Sequence, residues 1–294
     1  MTMRLGLGTA TLVGRRSKGE ARRLIESALE LGVTHFDTAR VYGFGECERV
    51  LGDILNGVSN VTVGSKVGMG RPVHTRGVWR FDALREVANQ VVRRRVRTAQ
   101  RWDKTYLQRS IATSLELLRR DRLDFLLLHD IPFEEWSQDV QDVADEFVRD
   151  GRIVGAGLAT RLDELEKFVA AGSVPGVVCQ FAGGPLQRPL PLVGIDTTIW
   201  HSIFGARGQT LATFAGWLEA DRVMRSLWNG SIAPREVGLQ ILRYVAGAQP
   251  PSILILPVRH RGSLFAAIEA VHAPLPRDEC QAMSVVFDRF RTEL

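Results

Sequence analysis

The sequence has few cysteines and no long apolar run. Its three cysteines, Cys47, Cys179 and Cys280, are widely separated and odd in number, which excludes a disulfide framework and a cysteine-based metal site. No stretch approaches the ~18 uninterrupted apolar residues of a transmembrane helix. The N-terminus lacks the charged start and apolar run of a signal peptide. We therefore expect no metal, no membrane association and a cytoplasmic location.

Positively and negatively charged residues are also nearly balanced in number. The 38 Lys and Arg residues face 33 Asp and Glu residues, for a net charge of +5. Much of this excess falls in one stretch, Arg93–Arg101. A nucleic-acid-binding face usually spreads basic residues among aromatic ones, so we expect no nucleic-acid partner. The stretch is interpreted as a solvated basic segment, or as a positive rim that attracts an anionic cofactor or substrate.

Short apolar runs alternate with amphipathic stretches along most of the chain. The expected strands are Arg4–Gly8, Thr34–Asp37, Val61–Lys66, Leu123–Leu128, Ile153–Leu158, Val177–Phe181, Thr197–Trp200 and Ser252–Leu256. The expected helices are Lys18–Leu31, Glu46–Leu55, Lys104–Arg119, Glu134–Arg149, Leu162–Ala171, Leu211–Leu227, Pro234–Ala246, Ser263–Val271 and Asp278–Arg291. Alternation of this kind predicts parallel strands, because each crossover must pass over the sheet.

The pattern predicts a (β/α)₈ TIM barrel in a single domain, residues 1–294, with a long insertion at about 67–103 and a C-terminal helical tail at about 274–294. Arg4–Gly8 is either an N-terminal hairpin strand, which leaves one barrel strand unidentified, or the first barrel strand itself. The rival fold is a doubly wound open sheet. It would show a glycine-rich dinucleotide turn after its first strand, and Gly6-Leu7-Gly8 is not followed by that motif.

Ionisable residues follow three of the expected strands. Asp37 ends THFD, Lys66 ends VTVGSK and His129 follows LDFLLL, while Tyr42 lies in the loop after Asp37. Taken singly, each has a structural explanation, such as a loop cap, a packed phenol, a solvated strand end or a core imidazole. Reactive groups of TIM barrels come from the C-terminal ends of the strands, so together the four predict a catalytic site.

These segments resemble the aldo-keto reductase family. The resemblance rests on GVTHFDTARVYGFGECERVLGDIL at residues 32–55, GSKVG at 64–68 and LDFLLLHD at 123–130. It implies that Asp37, Tyr42, Lys66 and His129 form a catalytic tetrad. Tyr42 would transfer a proton to or from the substrate oxygen, Lys66 would lower its pKa, Asp37 would hold Lys66, and His129 would orient the carbonyl. The first half is most similar to the aldose or sugar dehydrogenase branch.

The resemblance also implies a nicotinamide cofactor held by later strands. Where the family has Ser-Asn against the carboxamide, this chain has Ala159-Thr160, and Gln180 matches the carboxamide glutamine. His201 takes the place that stacks on the nicotinamide ring, with Trp200 as a one-residue alternative.

The dinucleotide's phosphates are expected to lie on two later segments. Residues 202–208 would run beneath the pyrophosphate, with Ser202, Phe204 and Gly208 as the contacts. Arg259 and Arg261 would clamp a 2′-phosphate, which favours NADP over NAD, or would form a solvent-exposed basic loop. The family's glycine and asparagine in this region are replaced by Val258 and Ile268.

Three functions fit this pattern. The first is an NAD(P)-dependent oxidoreductase that interconverts a small-molecule carbonyl (aldehyde, ketone or aldose) and an alcohol or lactone. The second is a redox-neutral lyase, cyclase or isomerase with Tyr42 and Lys66 as acid and base, suggested by the altered positions Ala159, Thr160 and Val258. The third is a non-enzymatic NADPH-binding sensor subunit. The four-residue constellation favours the first.

Overall fold

A computed structural model describes residues 3–12, 17–69, 101–172, 174–205, 208–248, 250–256, 258 and 260–293. The strands within this part of the chain are β1 (Arg4–Gly8), β2 (His35–Asp37), β3 (Thr62–Val67), β4 (Leu123–His129), β5 (Ile153–Ala159), β6 (Val178–Ala182), β7 (Thr197–His201) and β8 (Ile253–Leu256). They follow one another in chain order around a closed barrel. The pairings from β1 to β6, and that of β7 with β8, are parallel. The predicted TIM barrel is confirmed.

The first strand is a barrel strand. Gly6, Leu7 and Gly8 of β1 pair in parallel with His35, Phe36 and Asp37 of β2. The hairpin interpretation of Arg4–Gly8 is therefore wrong, and β1 supplies the strand that the sequence count left open.

Helices lie between most of the strands, although none of the described helices lies between β6 and β7. They are α1 (Lys18–Glu30), α2 (Glu46–Leu55), α3 (Lys104–Leu118), α4 (Gln138–Arg149), α5 (Leu162–Ala170), α6 (Gln209–Ala220), α7 (Arg222–Leu227), α8 (Pro234–Gly247), α9 (Arg261–His272) and α10 (Arg277–Glu293). Capping residues determine where these helices begin and end. Ser17 and Glu20 form a capping box before α1, and Gly32 follows the helix with a φ of 84° that glycine adopts without strain.

Two helix expectations need correction. The expected helix Leu211–Leu227 is two helices, because the Asp221 carboxylate accepts hydrogen bonds from the backbone N–H groups of Val223 and Met224 and so starts α7. The expected helix Glu134–Arg149 begins only at Gln138. A short 3₁₀ turn, Phe133–Glu135, precedes it.

The chain divides by internal packing into two compact units. One contains residues 6–180 and 192–197, and the other contains residues 1–5, 181–191 and 198–294. The expected single-domain span stays a prediction. Within the described residues, no helix combines the length and apolar character needed to cross a bilayer.

In the first unit, helix α2 packs closely on helix α3. A Cβ atom on Gly52 would lie 2.2 Å from the Leu117 carbonyl oxygen, so only glycine allows this approach. The chain beyond β3 is anchored by a hydrogen bond from the Arg101 backbone N–H to the Gly68 carbonyl, 2.8 Å. The expected insertion lies mostly outside the described residues, and so does the arginine stretch before Arg101.

Candidate active site

The ends of β2, β3 and β4 carry three of the four expected catalytic residues. Asp37 pairs in register with Gly64, and Lys66 pairs with Leu127, so these parallel strands end on the same side of the first unit. The fourth residue, Tyr42, opens a 3₁₀ turn, Tyr42–Gly45, five residues beyond the end of β2. The buried apolar residues hold each strand in place, and the polar side chains lie at the strand ends.

Lys66 and Asp37 form a buried ion pair. The Lys66 Nζ donates a hydrogen bond to Asp37 Oδ1 at 2.6 Å and another to the Thr38 carbonyl at 2.9 Å. The side chains of Lys66 and Asp37 are 3% and 7% exposed. Burial works against the ammonium, but the Asp37 carboxylate and Tyr42 outweigh it, and the pKa of Lys66 is raised above its ordinary value. Lys66 is therefore a permanent cation at neutral pH.

Tyr42 lies between Lys66 and His129. The Lys66 Nζ lies 3.5 Å from the Tyr42 hydroxyl oxygen and 5.0 Å from the centre of its ring. The Tyr42 and His129 rings meet edge to face, with centroids 5.7 Å apart and planes at 83°. The structure thus brings Asp37, Lys66, Tyr42 and His129 together in one continuous chain of contacts.

Two opposing effects act on the pKa of Tyr42. Burial raises the pKa of the phenol above its ordinary value, and the Asp37 carboxylate raises it further. The Lys66 ammonium acts in the opposite direction, as expected, but does not outweigh burial. Tyr42 is therefore a neutral phenol at neutral pH, which is the form that donates a proton.

A second buried ion pair lies behind Tyr42 and Lys66, and the sequence reasoning missed it. The Glu48 carboxylate accepts a hydrogen bond from Arg40 Nη1 at 3.1 Å and another from Ser65 Oγ at 2.8 Å. Glu48 is fully buried, and Arg40 is 7% exposed. A signal existed, because Glu48 shares the helix face of Leu51, Gly52 and Leu55, which is otherwise apolar.

Thr160, the residue just after β5, lies next to Gln180, in the middle of β6. The Thr160 backbone N–H donates to the Gln180 carbonyl at 3.1 Å, next to the paired residues Ala159 and Gln180. Thr160 is 3% exposed and Gln180 is 2% exposed. Within the described part of the chain, Thr160 Oγ1 and Gln180 Oε1 are buried without a hydrogen-bond partner.

The other expected cofactor residues that the structure describes belong to the second unit: His201, Ser202, Phe204, Gly208 and Arg261. His201 ends β7, and its Nδ1 lies 2.9 Å from the Ser202 hydroxyl oxygen. Gly208 caps α6 with a φ of 78°. The Phe204 ring packs against Gly238 of α8, where a Cβ would come within 3.2 Å of it. Trp200, the alternative stacking residue, packs instead on Gly183 and Phe181.

The basic loop is only partly described. Arg261 is the first residue of α9, while Arg259 lies outside the described residues. Ile268, at the family's asparagine position, is buried in α9. His260 caps the helix, since its imidazole accepts a hydrogen bond from the Ser263 backbone N–H.

Comparison with known proteins identifies related sequences. Residues 4–189 match the sequence model of the Aldo/keto reductase family. An uncharacterized oxidoreductase from Bacillus subtilis, YqkF, is 24% identical over 180 residues, which cover 60% of this chain and 52% of that protein. A pyridoxal 4-dehydrogenase from Microbacterium luteolum is 41% identical over 68 residues, which cover 22% of this chain and 20% of that enzyme. The matched segment thus spans about half or less of these relatives.

Solved structures share the fold. An aldo-keto reductase from Bacillus halodurans in its holo form superposes with a TM-score of 0.72 at 20% identity, over 96% of this chain and 91% of that one. An aldo-keto reductase from Klebsiella pneumoniae in complex with NADPH gives a TM-score of 0.62 at 18% identity, over 99% of this chain and 92% of that one.

Proposed function

The chain belongs to the aldo/keto reductase family, and from this premise we propose that it is an NAD(P)-dependent oxidoreductase that interconverts a carbonyl compound and an alcohol. The contact chain from Asp37 through Lys66 and Tyr42 to His129 carries the proposal. The oxidoreductase names of its relatives support the same reaction class.

Tyr42 is the proposed proton donor. A bound nicotinamide dinucleotide supplies the hydride that carbonyl reduction needs at carbon. Tyr42 supplies the proton at the carbonyl oxygen, and its raised pKa keeps the phenol protonated at neutral pH. In the reverse direction the phenolate of Tyr42 accepts the proton of an alcohol.

Lys66 and Asp37 act on Tyr42. As the Tyr42 hydroxyl gives up its proton, negative charge develops on the oxygen, and the Lys66 ammonium 3.5 Å away stabilises it. Asp37 holds that ammonium and keeps it charged in a buried position. The pair therefore stabilises the charge that appears during proton transfer.

His129 is the proposed orienting group for the carbonyl. Its ring lies edge to face against the Tyr42 ring, with the two centroids 5.7 Å apart. An imidazole N–H beside the phenol hydroxyl would give the carbonyl oxygen a second hydrogen-bond donor. Two donors fix the orientation of that oxygen better than one.

Thr160 and Gln180 fit the carboxamide of a nicotinamide ring. A primary carboxamide has two N–H donors and one carbonyl acceptor. Gln180 Oε1 can accept from its NH₂ group, and the Thr160 hydroxyl can donate to its oxygen. Both protein atoms are buried without a partner among the described residues, a state that costs free energy until a ligand satisfies them. Thr160 would thus replace the family's Asn despite the altered motif.

We propose NADP as the cofactor. The Klebsiella pneumoniae relative was solved with NADPH. In this chain Arg261 at the start of α9 would contact a 2′-phosphate, and the neighbouring Arg259 would add a second cation. The ring-stacking role of His201 and the pyrophosphate contacts of Ser202, Phe204 and Gly208 belong to the same proposal. The substrate is a small aldehyde, ketone or aldose, and an aldose would be oxidised to a lactone.

Spectrophotometry with a substrate panel tests the function. NADPH consumption would be followed at the nicotinamide band with aldehydes, ketones and aldoses, for the wild type, Tyr42→Phe and Tyr244→Phe. Tyr244 is also buried, at 7% exposure, and packs on Phe287 in the second unit, so Tyr244→Phe is the matched control. We expect Tyr42→Phe to lower turnover by about 10²–10⁴-fold, the usual value of general acid–base catalysis.

Two results would contradict the proposal. Full activity of Tyr42→Phe would remove Tyr42 as the proton donor. Substrate conversion without stoichiometric NADPH consumption would instead select a redox-neutral reaction on the same scaffold.

A further inference from the structure

We propose that Glu48 is a positioning residue that holds Tyr42 and Lys66 in register through Arg40 and Ser65. This inference rests on the proposed function, since it assigns a task to residues behind the Tyr42–Lys66 pair. Glu48 itself touches none of the proposed reacting atoms and acts only through its two hydrogen-bond partners.

Both carboxylate oxygens of Glu48 are used, and each holds a different segment of the site. Glu48 Oε2 accepts from Arg40, two residues before Tyr42, at 3.1 Å. Glu48 Oε1 accepts from Ser65, the residue immediately before Lys66, at 2.8 Å. One carboxylate on α2 therefore connects the loop that carries Tyr42 with the strand that carries Lys66.

A backbone hydrogen bond closes this connection into a ring. The Arg40 backbone N–H donates to the Lys66 carbonyl at 3.1 Å. Arg40 is thus joined to the Lys66 segment twice, directly through its backbone and indirectly through Glu48 and Ser65. Rotation or sliding of the Tyr42 loop against β3 would have to break this ring.

The ring matters because the contact it controls is sensitive to small shifts. The Lys66 Nζ lies 3.5 Å from the Tyr42 oxygen, at the outer limit of a hydrogen bond. A displacement of a few tenths of an ångström would remove this contact. Stability alone is a weak reason for such a buried pair, because desolvation of Arg40 and Glu48 cancels much of their attraction.

A matched pair of serine variants separates positioning from packing. Ser65 and Ser114 are both fully buried. Ser65 donates to Glu48, whereas the Ser114 hydroxyl makes no hydrogen bond within the described residues. We expect Ser65→Ala to lower kcat for NADPH-dependent reduction by about tenfold, the worth of one hydrogen bond to a charged group, with KM unchanged. Ser114→Ala should leave kcat unchanged.

A double variant tests the ion pair itself. Arg40→Met combined with Glu48→Leu removes one positive and one negative charge, so the net charge near Tyr42 stays the same. Apolar replacement of a buried ion pair often preserves stability. We expect this variant to unfold near the wild-type urea midpoint but to lose on the order of 10²-fold in kcat, as a small misplacement of catalytic groups does.

The pKa of Tyr42 is a readout that needs no turnover. The chain has only three tyrosines, so carbon-13 labelling of the tyrosine ring gives three signals, and Tyr42→Phe assigns one of them. Lys66 lowers the Tyr42 pKa in the wild type. Looser contact in Ser65→Ala and in the double variant should therefore raise the Tyr42 pKa, while Ser114→Ala should leave it unchanged.

The two proposals fail differently. If the wild type consumes no NADPH with any substrate of the panel, the proposed function is wrong, and the Tyr42 pKa comparison still decides the role of Glu48. If Ser65→Ala and the double variant keep the wild-type kcat and Tyr42 pKa, the positioning role is wrong. Should the double variant not fold, Ser65→Ala against Ser114→Ala decides alone.

Discussion

The Lys66 ammonium lies 2.6 Å from the Asp37 carboxylate, and the two side chains are only 3% and 7% exposed. Neither charged group has ready access to water, so each is stabilised by the opposite charge of the other. We expect Asp37→Leu to lower the free energy of unfolding by about 3–5 kcal/mol, because it leaves Lys66 as an uncompensated buried cation. Urea denaturation followed by circular dichroism measures this loss.

Two further variants serve as controls in the same denaturation experiment. Asp37→Leu combined with Lys66→Met should recover most of the lost stability, since no buried charge remains. Glu26→Gln breaks the exposed pair with Arg22, whose side chains are 48% and 44% exposed, and should change stability by less than about 1 kcal/mol. A double variant as unstable as Asp37→Leu would show that the pair is not the source of the effect.

The Tyr42 pKa predicts the pH dependence of the proposed reduction. Burial and the Asp37 carboxylate raise this pKa above the ordinary value of a phenol. A proton donor is active in its protonated form, so kcat/KM for reduction should be flat near neutral pH and should fall only above about pH 10. Oxidation of an alcohol uses the phenolate and should rise over that same alkaline range.

The measurement is a pH–rate profile of kcat/KM with the best substrate of the panel. Residual activity at neutral pH after alkaline incubation corrects for unfolding. A loss of reduction with an apparent pKa near neutrality, absent in a stability-matched control, would mean that a group other than Tyr42 limits the reaction.

The shared position of Asp37, Lys66 and His129 is visible in the sequence because strand ends are visible. The short apolar run Leu123–Leu128 is typical of a buried strand, and a polar residue that ends such a strand is expected at the C-terminal end of the barrel. Asp37 and Lys66 follow the same logic on their strands. The sequence therefore predicts that these groups share one end, while their distances depend on register and side-chain rotamers.

Other features lie beyond local pattern. The helix face of Glu48 indicates that it is buried, but its partners Arg40 and Ser65 lie on other segments, so the network itself appears only when α2 packs on the barrel. The net direction of the Tyr42 pKa depends on how far burial outweighs Lys66, and residue types alone do not fix that balance.

The helix break at Asp221, by contrast, can be predicted from the sequence, because aspartate is a strong helix N-cap residue.

Thr160 and Gln180 should contribute to cofactor affinity. Both offer a buried atom without a hydrogen-bond partner among the described residues, so a carboxamide that pairs with them gains more than a solvent-exposed contact would. We expect Thr160→Val and Gln180→Leu each to weaken NADPH binding by about tenfold, the effect of one hydrogen bond. Fluorescence titration of NADPH measures the Kd, and parallel titration with NADH tests the preference for NADP.

The control for this prediction is Ser114→Ala, another buried hydroxyl without a hydrogen bond within the described residues, on α3. It should leave the Kd for NADPH unchanged. Equal affinity of the wild type, Thr160→Val and Gln180→Leu would show that the carboxamide is held elsewhere, while a common loss in NADPH and NADH affinity would support the assignment.

At Gly52, α2 lies close against the backbone of α3. A Cβ at this position would lie 2.2 Å from the Leu117 carbonyl oxygen and 2.8 Å from the Leu118 Cα, and both are backbone atoms that cannot rotate away. Alanine favours helices over glycine by about 1 kcal/mol, but overpacking of a rigid contact costs about 1–3 kcal/mol or more. We therefore expect Gly52→Ala to destabilise the protein on balance.

Gly216 on α6 provides the matched comparison. A Cβ there would have no heavy atom within 4 Å, so Gly216→Ala should gain the helix preference without a clash and stabilise by about 0.5–1 kcal/mol. Urea denaturation of both variants gives the two changes directly. Because α2 also carries Glu48, displacement of the helix by Gly52→Ala should lower kcat as well, whereas Gly216→Ala should not. Equal stabilisation by both substitutions would mean that α2 and α3 can separate at no cost, which the close backbone contact at Gly52 argues against.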